Sequence, residues 1–316
     1  MEGFSIISHN IILLACMIGI GALAVGTGYL SVDMKNMLSK FIVKITLPLM
    51  IISSLTQVEP DAARIKNSLF VIAAALIVIG VLYLIGTAVT KLLHFPPETA
   101  LIHRCLTAFG NVSFIGYPIV QSLYGDSGLF YAALYAFIND ILVWTLVVWR
   151  LSALGGGKKP TCSETLKNCF SPPTAAFLIS FILLIFKLRP TGILYEITNG
   201  IGGTTIYLSM IFIGGTLAEV NFIKILKSAP ILFVVSFKMI LMPVFLIFVM
   251  RHIPMDPLVE GVIIMQTAVP SQTIISILSK EYGGNTEYVV KGIFITTLAG
   301  LLTMPFIYYL LSNWKM

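Results

Sequence analysis

The chain predicts an all-α integral membrane protein of ten transmembrane helices, built as two five-helix repeats of opposite orientation. Three observations predict it. Apolar residues make up 57% of the 316 and charged residues 11%, against about 45–50% and about 25% in soluble domains. Apolar runs follow one another along the whole chain, and crossing a bilayer takes about 20 residues each. A single stretch of linker composition, "GGGKKPTCSETLKNCFSPP" from Gly155 to Pro173, divides these runs into two groups of five.

The first group is Ile7 to Leu30, Leu38 to Leu55, Leu69 to Thr90, Thr99 to Leu123 and Gly128 to Leu151. The second is Pro173 to Phe186, Ile193 to Leu217, Ala229 to Met250, Leu258 to Leu278 and Tyr288 to Leu311. The first run contains an Ala-x-Ala sequence in "GALAVG". No basic residue precedes it and it is longer than a signal core, so it is expected to remain as a span. The predicted organisation is a first repeat over 1–152, a linker over 153–172 and a second repeat over 173–316. Five is odd, so two copies of a five-span unit must insert with opposite orientations, as in many secondary transporters. The segments starting at Asn111 and Val269 align without a gap, bringing Ser113 onto Ser271 and Tyr124-Gly125 onto Tyr282-Gly283.

Basic residues in short loops orient the spans. One side carries Lys35, Lys40, Lys91, Arg150, Lys158, Lys159, Lys167, Lys224, Lys227 and Lys280; the other carries Arg64, Lys66, Lys187, Arg189, Arg251 and Lys315. The richer side is expected to be cytoplasmic. A multi-pass plasma (inner) membrane protein follows, with both termini outside and the 155–173 loop inside. Topology accounts for the net charge of +6, so no nucleic-acid partner is expected. Cys16, Cys105, Cys162 and Cys169 show neither metal-ligand nor disulfide spacing and are expected to be free thiols. His9, His94, His103 and His252 form no cluster, so neither a metal site nor a hydrolytic triad is expected.

The fourth run reads "AFGNVSFIGYPIVQSLYG" from Ala108 to Gly125. In hydrocarbon an unpaired backbone group costs several kcal/mol, so an interrupted helix survives only inside protein or beside a watery cavity. Gly110 and Gly116 permit unusual backbone angles, and Pro118 and Pro270 remove a donor. Both the fourth and ninth helices are expected to break near mid-depth. Each break presents half-helix N-termini suited to an anion. The alternative is that these residues merely kink membrane helices.

Asn111, Gly116, Pro118 and Tyr124-Gly125, in the spacing N-x4-G-x-P-x5-Y-G, resemble the fourth-span motif of the auxin efflux carrier family. That family includes plant PIN proteins and bacterial malate or malonate permeases. Pro270, Lys280-Glu281-Tyr282, Pro305 before Tyr308-Tyr309, and "TLPLM" at Thr46 to Met50 are similar again, so the resemblance covers nearly the whole chain. It implies a bile acid/auxin transporter-like fold in which helices 4 and 9 cross at their breaks. It also implies a scaffold of spans 1, 2, 6 and 7, a transport unit of spans 3–5 and 8–10, and an elevator movement. The chain departs from plant members at Gly110 and Ile275, where they tend to carry proline, and it lacks their long cytoplasmic loop. A small carboxylate such as malate, malonate, a monocarboxylate or an auxin-like acid is the expected substrate class.

The expected substrate-binding residues are Asn111, Ser113, Gly116, Tyr117, Pro118, Val269, Pro270, Ser271, Gln272 and Ser53. Asp140 and Lys238 fall near mid-span, where an ionised side chain costs about 2.5–3.5 kcal/mol on insertion scales. Asp140 is a candidate carrier of a coupled proton and Lys238 a candidate holder of an anion's charge; the alternative is that the two pair with each other. Arg104 and Glu260 lie nearer span ends and read as interfacial. Glycines at 200, 202, 203, 214 and 215 suit close helix packing, within a scaffold or in a homodimer through it. The expected partners are thus a small organic anion, membrane lipids and a second copy. No cofactor is expected beyond a coupled proton or sodium ion, and no P-loop is present. The favoured reading is a secondary active transporter and not an enzyme; the alternative is a membrane receptor or sensor that retains a carrier fold.

Overall fold

The computed structural model describes residues 2–59, 61–154, 161, 170–218 and 229–313, and among them every regular element is helical. The first half contains α1 (Glu2–Gly26), α2 (Val32–Phe41), α3 (Leu47–Leu55), α4 (Ala62–Leu92), α5 (Pro97–Ala108), α6 (Tyr117–Leu142) and α7 (Val148–Leu154). The second contains α8 (Pro172–Ile185), α9 (Gly192–Ala218), α10 (Ala229–Val234), α11 (Met242–Met250), α12 (Pro257–Ala268), α13 (Ile274–Tyr282) and α14 (Thr286–Asn313). Wider π-turns join several of these: Ile42–Thr46 between α2 and α3, Val112–Gly116 before α6, Val143–Val147 between α6 and α7, and Val235–Leu241 between α10 and α11.

Six described helical stretches are long and apolar enough to cross a membrane: Asp33–Leu55, Ala62–Leu92, Val112–Leu154, Gly192–Thr216, Ala229–Met250 and Thr286–Asn313. Leu13–Gly26, Pro172–Ile185 and Pro257–Ala268 are apolar but shorter. The chain is therefore a multi-pass helical membrane protein. On α4, Leu69, Ile77 and Leu84 are each more than 60% exposed, which in water would be an aggregation hazard and in a bilayer is a lipid-facing surface. The fourth and fifth runs of the sequence are continuous from Val112 to Leu154 except at Gly125, whose φ of 64° and ψ of −159° interrupt the helix.

The chain divides into two compact units. One comprises Met1–Lys66, Ser113–Ala133 and Phe170–Asn221. Here α1 packs along α9, and α9 along α3, at glycines. A Cβ on Gly214 would overlap the Ile18 carbonyl, and one on Gly202 would stand 2.6 Å from the Met50 nitrogen. Gly200 and Gly203 face open space. The other unit comprises Asn67–Val112, Leu134–Cys169 and Phe222–Met316. In it α14 runs beside α5, α12 and α13. Gly292 lies against Leu106, and Gly300 lies where a Cβ would meet the Pro270 ring at 2.8 Å.

Cys16 and Cys105 are free thiols. Cys162 and Cys169 lie outside the described residues, as do most of the 153–172 linker and the loop lysines Lys224, Lys227 and Lys315.

Candidate functional site

Two helices of the second unit stop in mid-course. α5 ends at Ala108 and runs into Phe109 in extended conformation, at φ −95° and ψ 131°. α12 ends at Ala268 and runs into Val269, also extended, at φ −61° and ψ 150°. At Val269 the cause is local, because Pro270 disfavours the helical region for the residue before it.

The two extended segments meet as a one-pair antiparallel bridge between Gly110 and Ser271. The Asn111 amide donates to the Pro270 carbonyl at 2.8 Å, and the Gln272 amide donates to the Phe109 carbonyl at 3.1 Å. Side chains take the remaining donors: Gly110 N–H bonds Asn139 Oδ1 at 3.2 Å, and Ser271 N–H bonds Thr296 Oγ1 at 3.2 Å. Four amides released by the breaks are thus paired again, which is the condition for non-helical backbone at membrane depth. Gly110 is required by space, since a Cβ there would lie 2.6 Å from Val269 Cγ2 and 3.3 Å from Lys238 Nζ. A proline at 110 would also lose the bond to Asn139.

The pairing is reciprocal, matching Gly110 with Ser271 and Asn111 with Gln272. The sequence alignment set Ser113 on Ser271, whereas the residue that pairs with Ser271 at the crossing is Gly110. Gly125 and Gly283 both have positive φ, 64° and 88°. Gly125 follows Gly110 by fifteen residues and Gly283 follows Ser271 by twelve, and the first arm contains the π-turn Val112–Gly116.

Charged and amide side chains gather around this crossing. Lys238 sits in the π-turn Val235–Leu241, is 1% exposed and reaches toward Gly110. Its ammonium has no hydrogen-bond or ion-pair partner among the described residues. Asp140 accepts from Asn139 Nδ2 at 3.2 Å and from Gln272 Nε2 at 3.3 Å. Gln272 Oε1 is buried without a partner. The side-chain carboxamide of Asn111, 4% exposed, likewise makes no bond among the described residues. Asp140 and Lys238 do not pair with each other, since neither takes part in an ion pair among the described residues.

Of the residues singled out in the sequence, Asn111, Val269, Pro270, Ser271, Gln272, Asp140 and Lys238 fall in this unit, the first five at the crossing itself. The Ser271 hydroxyl donates to the Leu106 carbonyl at 2.7 Å. Ser53, Ser113, Gly116, Tyr117 and Pro118 belong to the other unit. There the Ser53 hydroxyl bonds back to Met50 O at 3.1 Å, a common use of serine in helices. Ser113 Oγ is buried without a partner, and Pro118 occupies the first turn of α6. Ser54, next to Ser53, accepts from Gln121 Nε2 at 3.0 Å.

Asn139 and Thr296 were not marked by the sequence. They lie in apolar helices and repair the backbone of segments far away in the chain, so only the fold reveals them. Arg104 bonds Thr90 Oγ1 through Nε at 3.1 Å. Glu260 lies in the first turn of α12, after the Asp256 cap, where a carboxylate complements the helix dipole.

Broken helices that meet inside a multi-pass helical protein occur in many secondary transporters. A profile described as membrane transport protein matches residues 6–308. The chain belongs to that membrane transport family, which includes the auxin efflux carriers. It is 28% identical over 200 residues to an uncharacterized transporter of Methanothermobacter thermautotrophicus, a match covering 63% of this chain and 64% of that one. A second similar protein, an uncharacterized transporter of Methanocaldococcus jannaschii, is 23% identical over 296 residues, covering 90% of this chain and 92% of the relative.

Proposed function

We propose that this membrane transport family member is a secondary active transporter of a small organic anion, a carboxylate, held at the crossing of the two broken helices. The observation that carries this reading is Lys238, a buried lysine with no acceptor among the described residues, at the point where both helices are interrupted. A buried unpaired charge is strongly unfavourable, and a substrate carboxylate would relieve it. Asn111 contributes a carboxamide with no partner among the described residues, and the N-terminus of α13, which has no side-chain cap bond, adds a favourable dipole.

Charge bookkeeping suggests the coupling. With Lys238 protonated and Asp140 ionised, the empty unit carries no net charge from these two groups. A bound monocarboxylate makes it −1, and a proton on Asp140 restores neutrality. A low-dielectric barrier favours passage of the neutral forms, so anion and proton would move together. Protonated Asp140 can donate to Gln272 Oε1 once that carboxamide turns over, which frees Gln272 Nε2 to donate to the substrate. In the elevator-type movement of this reading, the paired segments Phe109–Asn111 and Pro270–Gln272, which belong to one compact unit, would travel together. The reciprocal bonding of Phe109–Asn111 with Pro270–Gln272 supports an inverted-repeat origin.

The test is uptake into proteoliposomes of a panel of labelled mono- and dicarboxylates, with amines as controls, under imposed pH and sodium gradients. Carboxylate accumulation driven by an inward proton gradient is expected. Uptake of amines but not carboxylates would overturn the reading.

A further inference from the structure

We propose that a second site, independent of the crossing, binds the phosphate headgroup of an anionic phospholipid in the cavity among Lys91, Arg104 and Arg150. The cavity measures about 430 Å³ and is walled entirely by one unit: the end of α4, the following loop, the first turns of α5 and the end of α7. Among the described residues its lining includes three cationic side chains and no acidic one. None of the three cations takes part in an ion pair among the described residues. Like charges lining one cavity repel, and an anion among them would relieve that repulsion.

The geometry favours phosphate. Arg104 Nε is held by Thr90 Oγ1 at 3.1 Å, which orients the guanidinium and leaves its terminal nitrogens available. A fixed guanidinium fork matches two oxygens of one phosphate, while Lys91 and Arg150 supply further donors.

The rim favours a lipid over a soluble ion. Trp149 lines the cavity yet is 53% exposed, and Leu154 in the lining and Leu92 and Leu93 beside it are exposed apolar side chains. Cations inside and an apolar, tryptophan-bearing edge match an amphiphile whose headgroup enters the cavity and whose acyl chains lie along the helix surface. Such positions occur at the headgroup level of a bilayer.

The test is native mass spectrometry of the full chain released from mixed micelles of phosphatidylcholine and phosphatidylglycerol in equal amounts, with and without millimolar inorganic phosphate. Preferential retention of phosphatidylglycerol is expected. The preference should fall about tenfold or more in the double variant R104Q/R150Q and several-fold in the exposed-site variant K91Q, but be unaltered in K280Q, which removes a lysine elsewhere. K91Q alone serves if the double variant does not fold. Equal retention of the two lipids, or a preference untouched by K91Q, would overturn the proposal. Full displacement of phosphatidylglycerol by inorganic phosphate would overturn the assignment to a lipid.

Discussion

Lys238 brings its Nζ within 3.3 Å of the point where a Cβ on Gly110 would stand. A buried ammonium and an interrupted backbone thus occupy the same few ångströms. Neither feature stabilises a membrane helix by itself, and their coincidence gives the crossing its chemical interest.

Gly110→Ala should be poorly tolerated, because the new methyl would press on Val269 Cγ2 at 2.6 Å. Overpacking of this kind costs about 1–3 kcal/mol. A lowered thermal midpoint of the purified protein is expected. Gly200→Ala, where nothing lies within 4 Å, should leave the midpoint unchanged or slightly raised.

Asn139→Ala should destabilise as well, for a different reason. It removes the acceptor of the Gly110 amide and the Nδ2 donor to Asp140, and a buried donor left unpaired costs about 1–3 kcal/mol. Thermal unfolding should show the loss without any substrate present.

Much of this was legible in the sequence because membrane insertion is a strong constraint. Composition identified the class, and Gly110 and Pro270 marked the two breaks, since hydrocarbon penalises interruptions that have no purpose. The motif around Asn111 pointed to the family that the whole-chain match shows. What the sequence hid depends on distant partners. Asn139 and Thr296 look like ordinary polar residues of apolar spans until the fold sets them against Gly110 and Ser271. The π-turn Val112–Gly116 was hidden as well, since a π-turn widens a helix without a composition signal. Ser271 and Ser53 were readable as polar candidates, but not as hydroxyls already bonded to backbone.

Asp140→Asn preserves an oxygen that can accept from Asn139 and Gln272 but fixes the group in a neutral form. If Asp140 carries the coupled proton, accumulation driven by a pH gradient should disappear while substrate exchange between the two sides persists, because the loaded unit remains neutral. Parallel uptake and counterflow assays in proteoliposomes check this. Retained pH-driven accumulation would assign Asp140 to structure alone.

Asn111→Ala leaves the backbone bond to Pro270 in place and removes a carboxamide with no partner among the described residues. Folding should be little affected, whereas substrate affinity should fall by the worth of a hydrogen bond to a charged group, about 1.5–3 kcal/mol. Thermal midpoint and substrate affinity, measured on the same preparation, separate the two effects.

Lys238→Met tests most directly whether Lys238 holds the substrate's carboxylate, since it replaces a buried basic side chain by an apolar chain of similar length. The measurement is equilibrium binding of the best carboxylate from the uptake panel to wild type and variant, with the ligand-free thermal midpoint recorded for both. If Lys238 holds the carboxylate, affinity falls by about 1.5–3 kcal/mol or more and the ligand-free midpoint is unchanged or raised, because an unpaired buried charge has been removed. Equal carboxylate affinity in a folded Lys238→Met protein would contradict it.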